Sequence, residues 1–296
     1  MNLSTNETTE RKACKFNLDY QFPISILFVV TFVLSVTENI LVSLPIVVDR
    51  RLRRPSNGYL LSLALTDICI SLGLIPLEMT HVWSYPEWPL GRREAIAFNS
   101  VWLFSIAGSL VGVLVITVDR HRAVLSPVRY REVVSWGRTL MITTLVWLYG
   151  MVVVILMSLF AYEFYNAFLA VHIALPLLII CALYYKIYKK TAENRQQLLS
   201  LGRIHPGTTA ASSTVGLVIM FLVIIRIPVL VVEFSYARRN DSFIIEPDVV
   251  SVWLTCSNGM INPVVYSLRN EEFRHAILKR IHCKRQRSAS VLLAKR

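Results

Sequence analysis

The segment Val249–Leu268, VVSVWLTCSNGMINPVVYSL, decides the fold. It is a predominantly apolar run of about 20 residues, the length a helix needs to cross a bilayer core. It ends in Asn262-Pro263-Val264-Val265-Tyr266. Six further runs precede it, roughly Phe22–Val48, Asn57–Val82, Ala95–Thr117, Leu140–Phe160, Ala167–Tyr185 and Ser213–Val232, and the third is followed by Asp119-Arg120-His121. Lipid offers backbone groups no hydrogen-bond partner, so each run must be helical. At 54% hydrophobic and 17% charged residues, a 296-residue chain is too apolar for a water-soluble domain. The sequence therefore predicts an all-α membrane protein: a seven-transmembrane helix bundle.

Lys and Arg fix which way the bundle faces. Most of the 31 basic residues fall on one side: Arg50, Arg51, Arg53 and Arg54; Arg120, Arg122, Arg129, Arg131 and Arg138; Lys186, Lys189, Lys190, Arg195 and Arg203; and the tail after Leu268. The opposite side carries Arg11, Lys12, Lys15, Arg92, Arg93, Arg238 and Arg239. Basic loops stay in the cytoplasm, which places the N-terminus outside and the tail inside. The +12 net charge is thus a topology signal, and no nucleic-acid partner is needed to explain it. The sequons at Asn2, Asn6 and Asn240 all fall on the outer side, where glycosylation occurs.

The chain divides into three regions: an extracellular N-terminus (1–21), the seven-helix domain (22–268), and a cytoplasmic amphipathic helix with a basic tail (269–296). In that last region Phe273, Ile277 and Ile281 recur at helical spacing among basic residues, a pattern suited to the inner membrane surface. Cys283 just beyond is a candidate for palmitoylation, with a free thiol as the alternative. Cys14 is the one cysteine on the outer side, so no extracellular intrachain disulfide is expected. The link Thr191–Ala211, with Gly202, Pro206 and Gly207, reads as flexible.

The landmarks resemble those of the rhodopsin-like (class A) G-protein-coupled receptors across Phe22–Cys283. They are Asn39, Leu63-Ala64-x-x-Asp67, Asp119-Arg120-His121, Trp147, Pro176, Tyr184, Pro228 and Asn262-Pro263-x-x-Tyr266, in order along the seven spans. The short link between spans four and five, without a cysteine, looks like that of the melanocortin, lysophospholipid, cannabinoid and adenosine group. The resemblance implies a plasma-membrane receptor that passes an extracellular ligand's binding to a heterotrimeric G protein. It implies a sodium site at Asp67, Ser109, Asn258 and Asn262, whose hard oxygens suit a small cation. A protonated Asp67 hydrogen-bonded to those neighbours is the alternative. It assigns the activation switch to Asp119, Arg120, Tyr184, Pro228, Pro263 and Tyr266, and a G-protein contact to Arg120, Pro127 and Val128. Pro228 and Pro263 each remove a helix hydrogen bond and so kink their spans. No cofactor beyond a bound sodium ion is implied, and a homo- or hetero-oligomer stays open.

The departures are as informative. Ala95 stands where such receptors carry the cysteine of the common outer disulfide, and Glu38 replaces the small residue before Asn39. Arg226, two residues before Pro228, occupies the place of the switch tryptophan. A central arginine costs at least ~2.5 kcal/mol by insertion scales, so it needs a partner. Asp67, Glu78 and Glu233 are the candidates. The outer cavity is expected to be lined by Glu78, Phe98, Asn99, Trp102, Phe168, His172, Arg226, Val229, Glu233 and Val252. Trp102 stands where amine receptors carry an aspartate, which argues against a monoamine ligand.

A seven-span zinc hydrolase would need clustered His and Asp ligands, whereas the six histidines are scattered along the chain. The chain is therefore not expected to be an enzyme. A receptor-shaped partner or decoy that no longer signals is the competing reading. The altered span six argues for it; intact Asp119-Arg120, Tyr184 and Tyr266 argue against it.

Overall fold

The computed structural model describes residues 18–84, 92–160, 170–201, 225–231 and 245–269, and every regular element among these is helical. Span one is Leu18–Val48, span two Pro55–Ser84 and span three Arg92–Leu125. A short helix, Pro127–Val133, leads into span four, Trp136–Phe160. Span five is Leu175–Ser200, entered through a π turn at Ala170–Ala174. Residues 225–231 are a helical piece of span six, and span seven is Ile245–Arg269. Five of these helices are long and apolar enough to cross a membrane. Span seven carries Asn258 and Asn262 within its apolar run.

Most helices outrun the apolar windows. Span three continues to Leu125 and span five to Ser200. The link Thr191–Ala211 is therefore helical over its first half rather than flexible throughout. The apolar criterion stops where lipid stops, whereas a run such as Thr191–Ser200, rich in good helix formers, remains helical in water. The π turn has a local cause. Pro176 lacks an N–H, and its ring crowds the carbonyl four residues back, at His172. Widening the turn relieves that clash.

Span three is the most central helix, packed against spans two, four, five and seven; span one lies against two and seven. Phe28, Leu74, Ile106, Leu110, Ile173, Ile180 and Val229 are fully buried in the core. The outward faces are also apolar, with Phe22, Ile26 and Val33 on span one and Leu140, Ile155 and Leu159 on span four exposed. A helix apolar on both sides belongs in lipid. Trp147 links span four to span two, donating from Nε1 to Ser62 Oγ at 3.1 Å and meeting Phe104 edge-on at 5.8 Å.

Gly259 sets the approach of span seven to spans one and two. A Cβ there would come 2.7 Å from Ser35 Oγ and 3.3 Å from Asp67 Cβ. Gly259→Ala should therefore cost about 1–3 kcal/mol by overpacking. Gly137→Ala, whose Cβ would meet nothing within 4 Å, should be neutral or slightly stabilising. Thermal unfolding of the two purified variants checks this; equal Tm values would contradict it.

Candidate functional site

The middle of the bundle holds a connected polar core. Asp67 on span two is 3% exposed, and its Oδ2 accepts a hydrogen bond from Asn262 Nδ2 on span seven at 3.0 Å. One turn outward on span seven, Asn258 Nδ2 donates to Ser109 Oγ on span three at 2.9 Å. Asn39 Nδ2 on span one donates to Gly259 O and to Ser35 O, each at 2.8 Å. Ser35 and Ser71 hydroxyls share a 2.8 Å bond, and Ser71 Oγ donates to Asp67 O. Four spans are thus joined through side chains on Asp67's level. All four residues expected at the sodium site are brought together here, as two hydrogen-bonded pairs. Buried polar groups cost free energy unless paired, so this network fixes the register of the helices that carry it.

Above this core the polar groups change character. Arg226 is fully buried, and none of its three side-chain nitrogens has a hydrogen-bond partner among the described residues. Glu78 is also fully buried; its neighbour is His81, with Nδ1 at 3.6 Å from Oε1. The hydroxyls of Ser105, Ser251 and Thr255 are likewise buried without a hydrogen-bond partner among the described residues. Trp102, Val229 and Val252, expected to line the cavity, are all buried. Phe98 is half-buried and packs on the core.

Two further expected lining residues differ in setting from these. Asn99 is exposed. His172, within the π turn, stacks on Tyr149 of span four with centroids 5.8 Å apart. The extra residue of a π turn rotates the remainder of the helix by about 100°, one residue's share of an α-helical turn. Phe168 and Glu233 lie outside the described residues.

The C-terminal end of span three carries the expected acid–base pair. Asp119 is 9% exposed; its Oδ2 lies 3.8 Å from Arg120 Nε, and its Oδ1 accepts a 2.9 Å hydrogen bond from the Tyr130 hydroxyl. Tyr130 sits on the short helix Pro127–Val133, which starts with a proline at its first turn. Burial first, and then the Asp119 charge, push the Tyr130 hydroxyl up to about 12, which keeps it a donor at physiological pH. A cavity of about 330 Å³, lined in part by Tyr59, Asp119, Arg122, Tyr130 and Arg138, lies beside this contact. Val128 is 75% exposed on the same short helix. Tyr184 is buried and Pro228 is exposed. Pro263 and Tyr266 belong to the span-seven helix, but their side chains lie outside the described ones, as do Asn2, Asn6, Asn240 and Cys283.

Sequence reasoning did not find Tyr130, Ser35, Ser71 or Gly259. For the serines a signal was there: Ser35 lies four residues before Asn39 and Ser71 four after Asp67, which puts each on its partner's helix face. Tyr130 had none, because its meeting with Asp119 depends on how the inner link turns back. Tyr130→Phe should lower stability by about 1.5–3 kcal/mol, the worth of a hydrogen bond to a charged group. It should also raise basal signalling by loosening Asp119. An unchanged Tm together with unchanged basal activity would refute this role.

Comparison with known proteins agrees with this arrangement. The family model "7 transmembrane receptor (rhodopsin family)" matches residues 38–167 and 159–266. The histamine H2 receptor of Rattus norvegicus is 24% identical over 301 residues, covering 93% of this chain and 84% of that protein. The melatonin receptor type 1B of Mus musculus is 24% identical over 275 residues, covering 85% and 75% respectively. Both likenesses support the family. Matched over most of its length, the chain belongs to the rhodopsin family of seven-transmembrane, G-protein-coupled receptors.

Proposed function

We propose that this receptor, a multi-pass protein of the plasma membrane, binds an extracellular ligand between spans two, three, six and seven and signals through Arg120 to a heterotrimeric G protein. The observation that carries the reading is the inner end of span three. Asp119 is held at once by Arg120 and by Tyr130, an arrangement that a mere headgroup anchor does not need. Exposed Val128, with Pro127 at the start of its helix, supports a G-protein contact beside it. The basic inner links support an N-terminus outside, with glycans at Asn2, Asn6 and Asn240 and a palmitoyl chain at Cys283 inside.

The ligand pocket is charged at two buried points, Glu78 and Arg226, between the apolar walls of Trp102, Val229 and Val252. Relatives include receptors named for histamine. In this chain Trp102 stands where the resemblance puts the amine-binding aspartate, and an indole cannot neutralise an ammonium group as a carboxylate does. A ligand other than a simple monoamine, a peptide or lipid among them, fits this pocket better.

The inner end of span six supports signalling without ligand. The stretch 205–213 holds no acid that could clasp Arg120 at rest, and Thr208, near the usual position, lies outside the described residues. Cells expressing the receptor should therefore show G-protein activation above an empty-vector control. Arg120→Ala should reduce it by about 10- to 100-fold, the equivalent of one charge-assisted contact of about 1.5–3 kcal/mol. Thr208→Glu should reduce it as well. A wild type indistinguishable from vector with every G-protein class would favour the non-signalling partner or decoy instead.

A further inference from the structure

One turn from the hydrogen-bonded core lies a group of polar side chains left without partners among the described residues. In the core itself Asn258 donates to Ser109 at 2.9 Å and Asn262 to Asp67 at 3.0 Å. That donor set, a carboxylate, a hydroxyl and two amides, is of the kind that fits the small cation implied by the family resemblance, and its members are bonded in pairs. Ser105 stands four residues before Ser109, and Thr255 three before Asn258, so each shares a helix face with its neighbour, one turn toward the N-terminal end. Both are buried, and neither hydroxyl has a hydrogen-bond partner among the described residues.

Span six brings a charge to this level. Trp102 and Val252 lie three residues before Ser105 and Thr255, and both belong with Val229 to one apolar cluster. Arg226 is three residues before Val229, on the same helix face, and like it has no solvent exposure. Successive spans cross the bilayer in opposite directions, so one turn back along span six is one turn forward along spans three and seven. Arg226 thus shares the level of Ser105 and Thr255. None of its three side-chain nitrogens has a hydrogen-bond partner, and none of the ion pairs among the described residues includes it. The two acids of span two, Asp67 and Glu78, have their own neighbours in Asn262 and His81.

A guanidinium keeps its charge at any physiological pH. Buried without a counter-charge it is costly, and ionisable groups within membrane spans mark sites with a task. Guanidinium N–H groups and hydroxyls are donors, and an anion is the partner that all of them can serve at once. We propose that Arg226, Ser105 and Thr255 form an anion site at the floor of the ligand pocket, which takes a small anionic group from outside the chain. The source of that group is either the acid of the ligand itself, such as a carboxylate, or a free chloride ion. The inference deepens the reading of this cavity as the ligand pocket and rests on it. Two departures then act together: Trp102 removes the counter-charge for a cationic ligand, and Arg226 supplies one for an acidic ligand.

The test needs no G protein, so its failure is distinct from failure of the signalling reading. Thermal unfolding of the purified full-length receptor is followed in sodium gluconate, an anion too bulky for a closed site, at constant ionic strength. Chloride and hexanoate are titrated in, separately and together, with hexylammonium as the cation of matched skeleton. The wild type should gain several degrees, with saturation, from hexanoate or from chloride. A response to hexanoate alone assigns the site to an acid carried by the ligand; a chloride response that hexanoate does not add to assigns it to a free ion. Arg226→Gln should lose the response, and Ser105→Ala/Thr255→Val should raise the half-saturating concentration about tenfold, the equivalent of about 1.4 kcal/mol. If Arg226→Gln does not fold, Arg226→Leu is read in the same way. A wild type that responds to neither anion would overturn the proposal, as would equal stabilisation by hexylammonium or an undiminished response in the Arg226 variant.

Discussion

A carboxylate at the centre of a bilayer-spanning bundle must be neutralised or hydrogen-bonded, and the way Asp67 meets that demand organises the rest of this receptor. Lipid offers its charge no relief. Span seven therefore comes close enough for Asn262 to donate to it, which only the bare backbone of Gly259 allows. Span one is drawn in by Asn39 and Ser35, and span three by Ser109 through Asn258. Apolar packing against Leu74, Ile106 and Leu110 adds the bulk of the contact area. Such packing alone is non-directional, whereas a hydrogen bond across helices selects one register.

The same core separates two ends with different tasks. Toward the N-terminal end of span three lie charges and hydroxyls that find no hydrogen-bond partner among the described residues, with Arg226 and Glu78 foremost. At the C-terminal end of span three Asp119 takes a hydrogen bond from Tyr130 and faces Arg120. Unmet hydrogen-bonding capacity on one side and a held arginine on the other is the polarity expected of a device that takes a ligand at one face and offers a contact at the other. Span three runs through both ends and packs on most of the others, so a shift at Trp102 reaches Arg120 along one rigid element.

The spans and the residues of the polar core were legible because lipid imposes a strict rule. Apolar runs must be helices, and polar residues inside them must face protein, so Asp67, Asn258 and Asn262 declared themselves by being out of place. The features that escaped all depend on backbone detail. The helical continuation through Thr191–Ser200 lies beyond the reach of the apolar criterion. The turning of His172 onto Tyr149 follows from a π turn that only the clash at Pro176 explains. The Tyr130–Asp119 contact joins residues eleven apart across a helix break, a distance that no periodicity predicts. The partner of Arg226 was open among three acids. Its guanidinium is fully buried and hydrogen-bonds to neither Asp67 nor Glu78, and Glu233 lies outside the described residues.

The central claim is that Asp67 and Asn262 are partners within one buried network. A double-mutant cycle on thermal stability, built from Asp67→Ala, Asn262→Ala and the double variant, measures that pairing directly. A hydrogen bond to a charged group contributes about 1.5–3 kcal/mol, so each single variant should be destabilised. The double variant should be more stable than the sum of the two losses allows, with a coupling above about 1 kcal/mol. Losses that simply add would show that the two side chains do not interact, and the account of this core would fail.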